Sequence, residues 1–126
     1  YAKEFLAYRS CDGLVLVGSG LGHFPVNHFD SRTKEHAKIL QTISRLAKKM
    51  PVVMVSNCVS GRVNMLVYGS GRKLLTAGVL GNLLDMHFDV AYVKLAYLLS
   101  CHKKNLFVLY GQDLRGEISS RSNYAF

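Results

Sequence analysis

Three glycines, Gly18, Gly20 and Gly22, stand immediately before His23. They follow Leu14-Val15-Leu16-Val17, a continuous apolar run with valine at alternate positions. Such a run reads as a strand buried on both faces. Glycines let the chain turn tightly at the carboxyl end of that strand, where ligands gather in open α/β sheets. The loop Ser19, Gly20, Leu21, Gly22 and His23 is therefore the first candidate for binding chemistry. A neutral His23 could donate or accept one hydrogen bond there, although a single loop histidine is more commonly an ordinary surface residue.

The same segment imitates a dinucleotide-binding fingerprint and fails it. That fingerprint needs G-x-G-x-x-G running straight into a helix. Here the spacing is G-x-G-x-G, and an irregular stretch containing Pro25 separates it from the next helix. No helix N-terminus lies where a pyrophosphate would sit. Cys58 follows a second apolar run and could in principle be a nucleophile. It has no basic partner nearby in sequence, so a half-buried structural cysteine is expected. His28 and His36 lack the spacing of a zinc-binding helix, and no acidic cluster is spaced for a metal. No G-x-S-x-G elbow is present.

The elements that must position these residues follow from periodicity. Residues 1–9 read as the end of an amphipathic helix. After the first strand, Asp30 or Ser31 caps a helix running to about Lys49, with Ala37, Leu40, Ile43, Leu46 and Met50 as its buried stripe. Pro51 stops it and opens the strand Val52 to Ser56. A helix is expected over about 71–77, with Gly78 beyond its end, and Val79-Leu80 as a very short third strand. The helix over 88–101 should bury Phe88, Ala91, Tyr92, Leu95 and Leu98, with Asp85 and Asp89 at the positive end of its dipole. Tyr92 and Tyr97 read as core or interface. A last helix covers about 103–110, and the tail is irregular. Strands alternating with helices imply α/β: a small three-layer domain, a short parallel sheet flanked by about four to five helices.

The 126 residues fit one domain, and 49% are apolar, enough for a core. The formal net charge of +8 favours acidic partners, nucleic acid included. The basic residues are dispersed, with dense pairs only at Lys48-Lys49, Arg72-Lys73 and Lys103-Lys104, which reads as a solvated basic surface. Three widely spaced cysteines make no disulfide framework, and a reducing cytoplasmic compartment fits them best. No apolar run has the ~20 residues of a membrane span, and no signal-peptide pattern is present. The missing initiator Met is expected of a piece of a longer polypeptide.

Three stretches together carry a resemblance: DGLVLVGSGLGHFP (12–25), PVVMVSNCVSGRVNMLVYGSGRKLLTAGVLG (51–81), and DMHFDVAYVKLAYLLS with LRGEIS (85–100 and 114–119). In this order they resemble the C-terminal domain of the asparaginase family. Within it, Gly20-Leu21-Gly22-His23, Arg62-Val63-Asn64, Val67-Tyr68 and the ending 121–126 are most similar to the D subunit of the archaeal glutamyl-tRNA(Gln) amidotransferase. Cys58, Val63-Asn64-Met65 and Leu114-Arg115-Gly116-Glu117 are shared with cytoplasmic asparaginases.

The resemblance implies that residues 1–126 are the small domain of a two-domain enzyme. The catalytic N-terminal domain, with its nucleophilic threonines, is absent from this chain, which should be inactive alone. The family pairs such domains in a homodimer, and the loop after the first strand reaches the partner's substrate, usually through an Asn at the position of His23. Ser56, Asn57 and Cys58 match a regulatory asparagine site in bacterial enzymes. Its arginine is replaced by Val17, so that site would be vestigial. No cofactor is expected here; ATP and Mg²⁺ would belong to a kinase or transferase partner subunit that acts on tRNA. The competing expectation is a stand-alone, non-catalytic α/β module that binds a small ligand or RNA.

Overall fold

The computed structural model describes residues 2–121; Tyr1 and 122–126, and with them most of the ending noted above, lie outside the described residues. The chain forms helix α1 (Ala2–Phe5), a 3₁₀ turn (Leu6–Ser10), strand β1 (Leu14–Gly18), a 3₁₀ turn (Ser31–Thr33) and helix α2 (Lys34–Ala47). Strand β2 (Val52–Ser56), helices α3 (Gly69–Thr76) and α4 (Phe88–Cys101), a 3₁₀ turn (Lys103–Asn105) and helix α5 (Leu106–Leu109) complete it.

β1 and β2 pair in parallel, in register from Leu14 opposite Val52 to Gly18 opposite Ser56. Successive side chains of a strand point to opposite faces, and β2 shows the consequence. Val52 and Met54 enter one core with Ile39, Ile43, Leu46 and Leu74. Val53 and Val55 enter the other with Ala91, Leu95, Leu98, Leu106 and Tyr110. α2 and α3 thus cover one face of the sheet and α4 and α5 the other; with α1 the described residues hold five helices, in the three layers and the range of four to five that the alternation implied.

Several expectations need correction. β1 is not buried on both faces: Val17 is 46% exposed, because among the described residues β1 has a strand partner on one side only. Val79-Leu80 contributes a single parallel bridge, Leu80 to Val53, rather than a strand. Gly81 follows at once with φ +102°, outside the strand conformation, and a Cβ there would overlap the Met54 carbonyl. The N-terminal and last helices are each part 3₁₀ and part α. The buried residues of α2 are Ile39, Thr42, Ile43 and Leu46, with Ala37 and Leu40 only half-buried. Asp30 does cap the entry to α2, accepting from the N–H groups of Arg32 and Thr33.

α4 has the expected ends but a rotated face. Ala91, Lys94, Leu95 and Leu98 are buried, while Phe88 and Tyr92 are exposed, as is Tyr97. Apolar side chains nearly encircle this helix, so periodicity alone does not choose its inner stripe. Asp89 accepts from Val90 N–H at the helix start. Asp85 instead pairs with Arg62 at 3.7 Å and accepts from Ser119 N–H.

Candidate functional site

The glycine loop folds back on itself at the carboxyl end of β1. Ser19 and His23 form an antiparallel bridge, each N–H donating to the other's carbonyl, at 3.1 and 2.8 Å. Gly22 makes this reversal possible. Its φ is +93°, a conformation that side chains disfavour, and a Cβ on it would lie 2.9 Å from Val63 Cγ1. The loop is also tied to its surroundings. Ser56 Oγ donates to Gly20 O at 2.5 Å, Asn57 N–H to Gly18 O and Asn64 N–H to Leu21 O.

These bonds join the two groups of candidate residues. Ser56 Oγ also accepts from Cys58 N–H at 3.1 Å, so its hydroxyl links the 56–58 turn to the loop. Ser56 is buried, while Asn57 and Cys58 are exposed. Cys58 is not the half-buried residue expected; its Sγ lies 3.8 Å from Asn57 Oδ1, an amide oxygen that cannot serve as its base.

His23 is half-buried. Its Nδ1 lies 3.3 Å from Ser19 O. A carbonyl only accepts, so in this contact Nδ1 donates, and in the neutral tautomer that does so Nε2 is the acceptor. The imidazole packs on Tyr68 with ring centroids 4.5 Å apart. Tyr68 precedes α3, and the preceding segment is held by Arg72, whose Nη1 donates to Leu66 O and Val67 O. The Tyr68 contact is invisible to periodicity, since forty-odd residues separate the two rings in the chain. Exposed Leu21, Leu66, Val67 and Tyr68 give the loop an apolar rim.

No threonine is poised for attack. Thr42 and Thr76 hydroxyls donate to the carbonyls of Lys38 and Arg72 in their own helices. Thr33 does sit beside an acid, 2.9 Å from Asp30 Oδ1. That arrangement is a helix cap: Thr33 Oγ1 also accepts from Phe29 and Asp30 N–H groups. The Thr33 hydroxyl and backbone N–H groups hold the Asp30 carboxyl below its ordinary range, which makes it a poorer base. Among the described residues, no three His, Cys, Asp or Glu side chains converge as metal ligands, and no helix is long and apolar enough to cross a membrane.

A second polar constellation escaped sequence reasoning. Lys94 is buried, yet its Nζ lies 2.6 Å from Glu117 Oε1, donates to Gln112 O at 2.5 Å and stands 5.7 Å from the Tyr110 ring centroid. Glu117 also accepts from Leu114 and Arg115 N–H groups. Burial acts to raise the Glu117 carboxyl, but Lys94 and these N–H groups outweigh it and bring it to about 2. Burial also raises the Tyr110 phenol. The available signal was a lysine on the inner face of α4. Lys94 and Glu117 line a groove of about 800 Å³ with Val90, Val93, Tyr97 and Leu109; none of the loop residues reaches it.

Comparison with known proteins places this geometry in context. The family model for the Glutaminase/Asparaginase C-terminal domain matches residues 2–106. The D subunit of glutamyl-tRNA(Gln) amidotransferase from Methanobrevibacter smithii is 35% identical over 129 aligned positions, covering 98% of this chain and 27% of the relative. Its counterpart in Pyrococcus abyssi is 40% identical over 104, covering 82% of this chain and 21% of the relative. The chain thus spans about a quarter of these relatives' length. Among solved structures, the thermostable L-asparaginase from Thermococcus kodakarensis aligns with a TM-score of 0.79 at 27% identity, over 95% of this chain and 35% of that one. L-asparaginase I from Vibrio cholerae aligns with a TM-score of 0.72 at 28% identity, over 91% of this chain and 34% of that one.

Proposed function

The chain belongs to the Glutaminase/Asparaginase C-terminal domain family, and on that premise we propose that it is the non-nucleophilic domain of a side-chain amide hydrolase, of the kind found in the D subunit of the amidotransferase. Glutamine or asparagine is the substrate, and the released ammonia goes to a partner subunit that forms Gln-tRNA(Gln). The attacking threonine belongs to a preceding N-terminal domain. ATP and Mg²⁺ are used by the partner subunit, and the assembly works in the cytoplasm.

One observation carries this reading: a hydrogen-bonded loop at a strand end, in a chain whose own threonine hydroxyls are all engaged by local hydrogen bonds. The loop supplies position rather than attack. In a homodimer, Ser19–His23 completes the partner's substrate pocket, and His23 Nε2 accepts from the substrate ammonium. Holding that group fixed converts binding energy into orientation of the amide carbon. Tyr68 limits rotation of the imidazole. Ser56 and Cys58 support the loop from beneath, and the Ser56 hydroxyl is already engaged on both sides. This favours a structural role over a regulatory asparagine site. The family match also favours a domain of a larger enzyme over a stand-alone module.

The test is a chimera in which residues 2–121 replace the matching part of the Pyrococcus abyssi relative. It should release ammonia from glutamine. His23→Ala in the chimera should raise KM for glutamine more than it lowers kcat, as expected for a group that holds substrate in both ground and transition states. The 126-residue chain alone should release none. Ammonia released from either amide by the pure chain alone would overturn the reading.

A further inference from the structure

Acidic residues are distributed unevenly in this molecule. No Asp or Glu lies between Glu35 and Asp85, whereas Lys38, Arg45, Lys48, Lys49, Arg72 and Lys73 fall within that stretch. Arg62, also within it, pairs with Asp85 on the α4 side. Folding therefore separates charge by layer. On the α4 side Lys94 is matched by Glu117 and Arg62 by Asp85. On the α2–α3 side the partners are mostly neutral. Lys73 Nζ donates to Asn27 Oδ1 at 2.9 Å, and Arg72 donates to two backbone carbonyls. These acceptors hold the side chains in place without cancelling their charge. Among the described residues, Lys38–Glu35 is the one ion pair on α2, and Glu35 stands in the helix's first turn. Asp30 also stands at that end, capping the entry turn, and Glu4 on α1 has Lys3 beside it.

Of the remaining cations, Lys48, Arg72 and Lys73 border an open groove of about 650 Å³ between α2 and α3. Lys48 stands on one wall, Arg72 and Lys73 on the other, and small Ser44, Gly69 and Ala77 keep it open. Arg45 on α2 and Lys49 in the turn after it stand outside the groove's lining, and all five cations are exposed. Lys48, Arg72 and Lys73 share one groove, so their charges act together over the range of a Debye length at physiological salt. A cleft walled by charges of one sign concentrates its field on the opposite charge. The groove also runs up to Gly69, next to the Tyr68 that packs on His23.

We propose that the α2–α3 face is a docking surface for the phosphate backbone of RNA, centred on Arg45, Lys48, Lys49, Arg72 and Lys73. The argument rests on charge and shape and not on the hydrolase reading; ammonia release, measured separately, distinguishes failure of one from failure of the other. Binding is of the positioning kind, set by phosphate contacts rather than base edges.

The experiment is fluorescence anisotropy of the 126-residue chain with labelled bulk tRNA across a salt series. Arg45→Gln/Lys48→Gln/Lys49→Gln should weaken binding by roughly 30-fold at ~0.1 M salt and flatten the slope of log K against log salt by about 2. The charge-matched control, Lys103→Gln/Lys104→Gln/Arg115→Gln, lies on the α4 side and should change affinity less than about threefold. Thermal melts of both variants verify folding; Lys73→Gln alone serves as a milder replacement if the triple variant melts early. Absence of salt-dependent tRNA binding overturns the proposal. So does an equal loss in the control, which would mark a net-charge effect. Recruitment of the chain to anionic vesicles without binding of tRNA would overturn it as well.

Discussion

Replacing Glu117 by Gln should expose how strongly the buried ion pair holds the α4 side together. Lys94 Nζ contacts Glu117 Oε1 at 2.6 Å, with the two side chains 4% and 12% exposed. Glu117 also gathers the N–H groups of Leu114 and Arg115, fixing the 114–117 turn over the helix. A carboxyl brought to about 2 from 4.5 corresponds to about 3 kcal/mol of stability. Solvent at the groove screens the pair, so about 2 kcal/mol is the working figure. Glu117→Gln leaves the Lys94 ammonium buried with only neutral acceptors, and that loss is contained in the same figure of about 2 kcal/mol.

For a domain of this size that loss lowers Tm by about 7 °C. The assay is thermal unfolding followed by circular dichroism, repeated from pH 7 to pH 2. Because the folded carboxyl is depressed, its contribution is complete above about 4.5 and disappears as pH falls through about 2. The wild type should therefore converge on Glu117→Gln across that window. Lys94→Met/Glu117→Gln removes the stranded charge and should be more stable than Glu117→Gln alone. A single variant melting within about 2 °C of wild type, or a double variant that melts below it, refutes the reasoning.

Further outcomes follow from the same structure. Gly81→Ala should cost more than about 3 kcal/mol, because φ is +102° and a Cβ would strike the Met54 carbonyl; urea unfolding measures it. Ser56→Ala should cost about 1–2 kcal/mol and speed hydrogen exchange at the Cys58 amide, which donates to the Ser56 hydroxyl. Exchange at Cys58 unchanged from wild type would contradict the assigned role. Val53→Ala should cost about 2 kcal/mol and Val17→Ala less than about 0.5, since Val53 is fully buried and Val17 is 46% exposed. Equal losses in urea titrations would mean that β1 is not an edge in solution.

Local patterns carried much of this fold. The run from Val52 to Ser56 was legible as a buried strand because every side chain in it is shielded. The ends of α4 and the Asp30 cap of α2 were legible because caps and breakers act within a turn or two. The Ser19–His23 reversal was legible from its glycines, which permit backbone shapes that other residues resist. What the chain does with those elements depended on long-range contact. Whether β1 is central or an edge depends on what pairs beside it, and no residue within β1 encodes that. The inner stripe of α4 turns on Lys94, whose neutralising carboxylate lies twenty-odd residues later in a tail that periodicity left irregular. The joining of Ser56 to Gly20, and of His23 to Tyr68, required the sheet to bring distant loops to one end. Composition showed an excess of positive charge, but only the stacking of layers decided which cations were neutralised and which faced solvent together. Propensity acts on neighbours in the chain; packing and electrostatics act on neighbours in space.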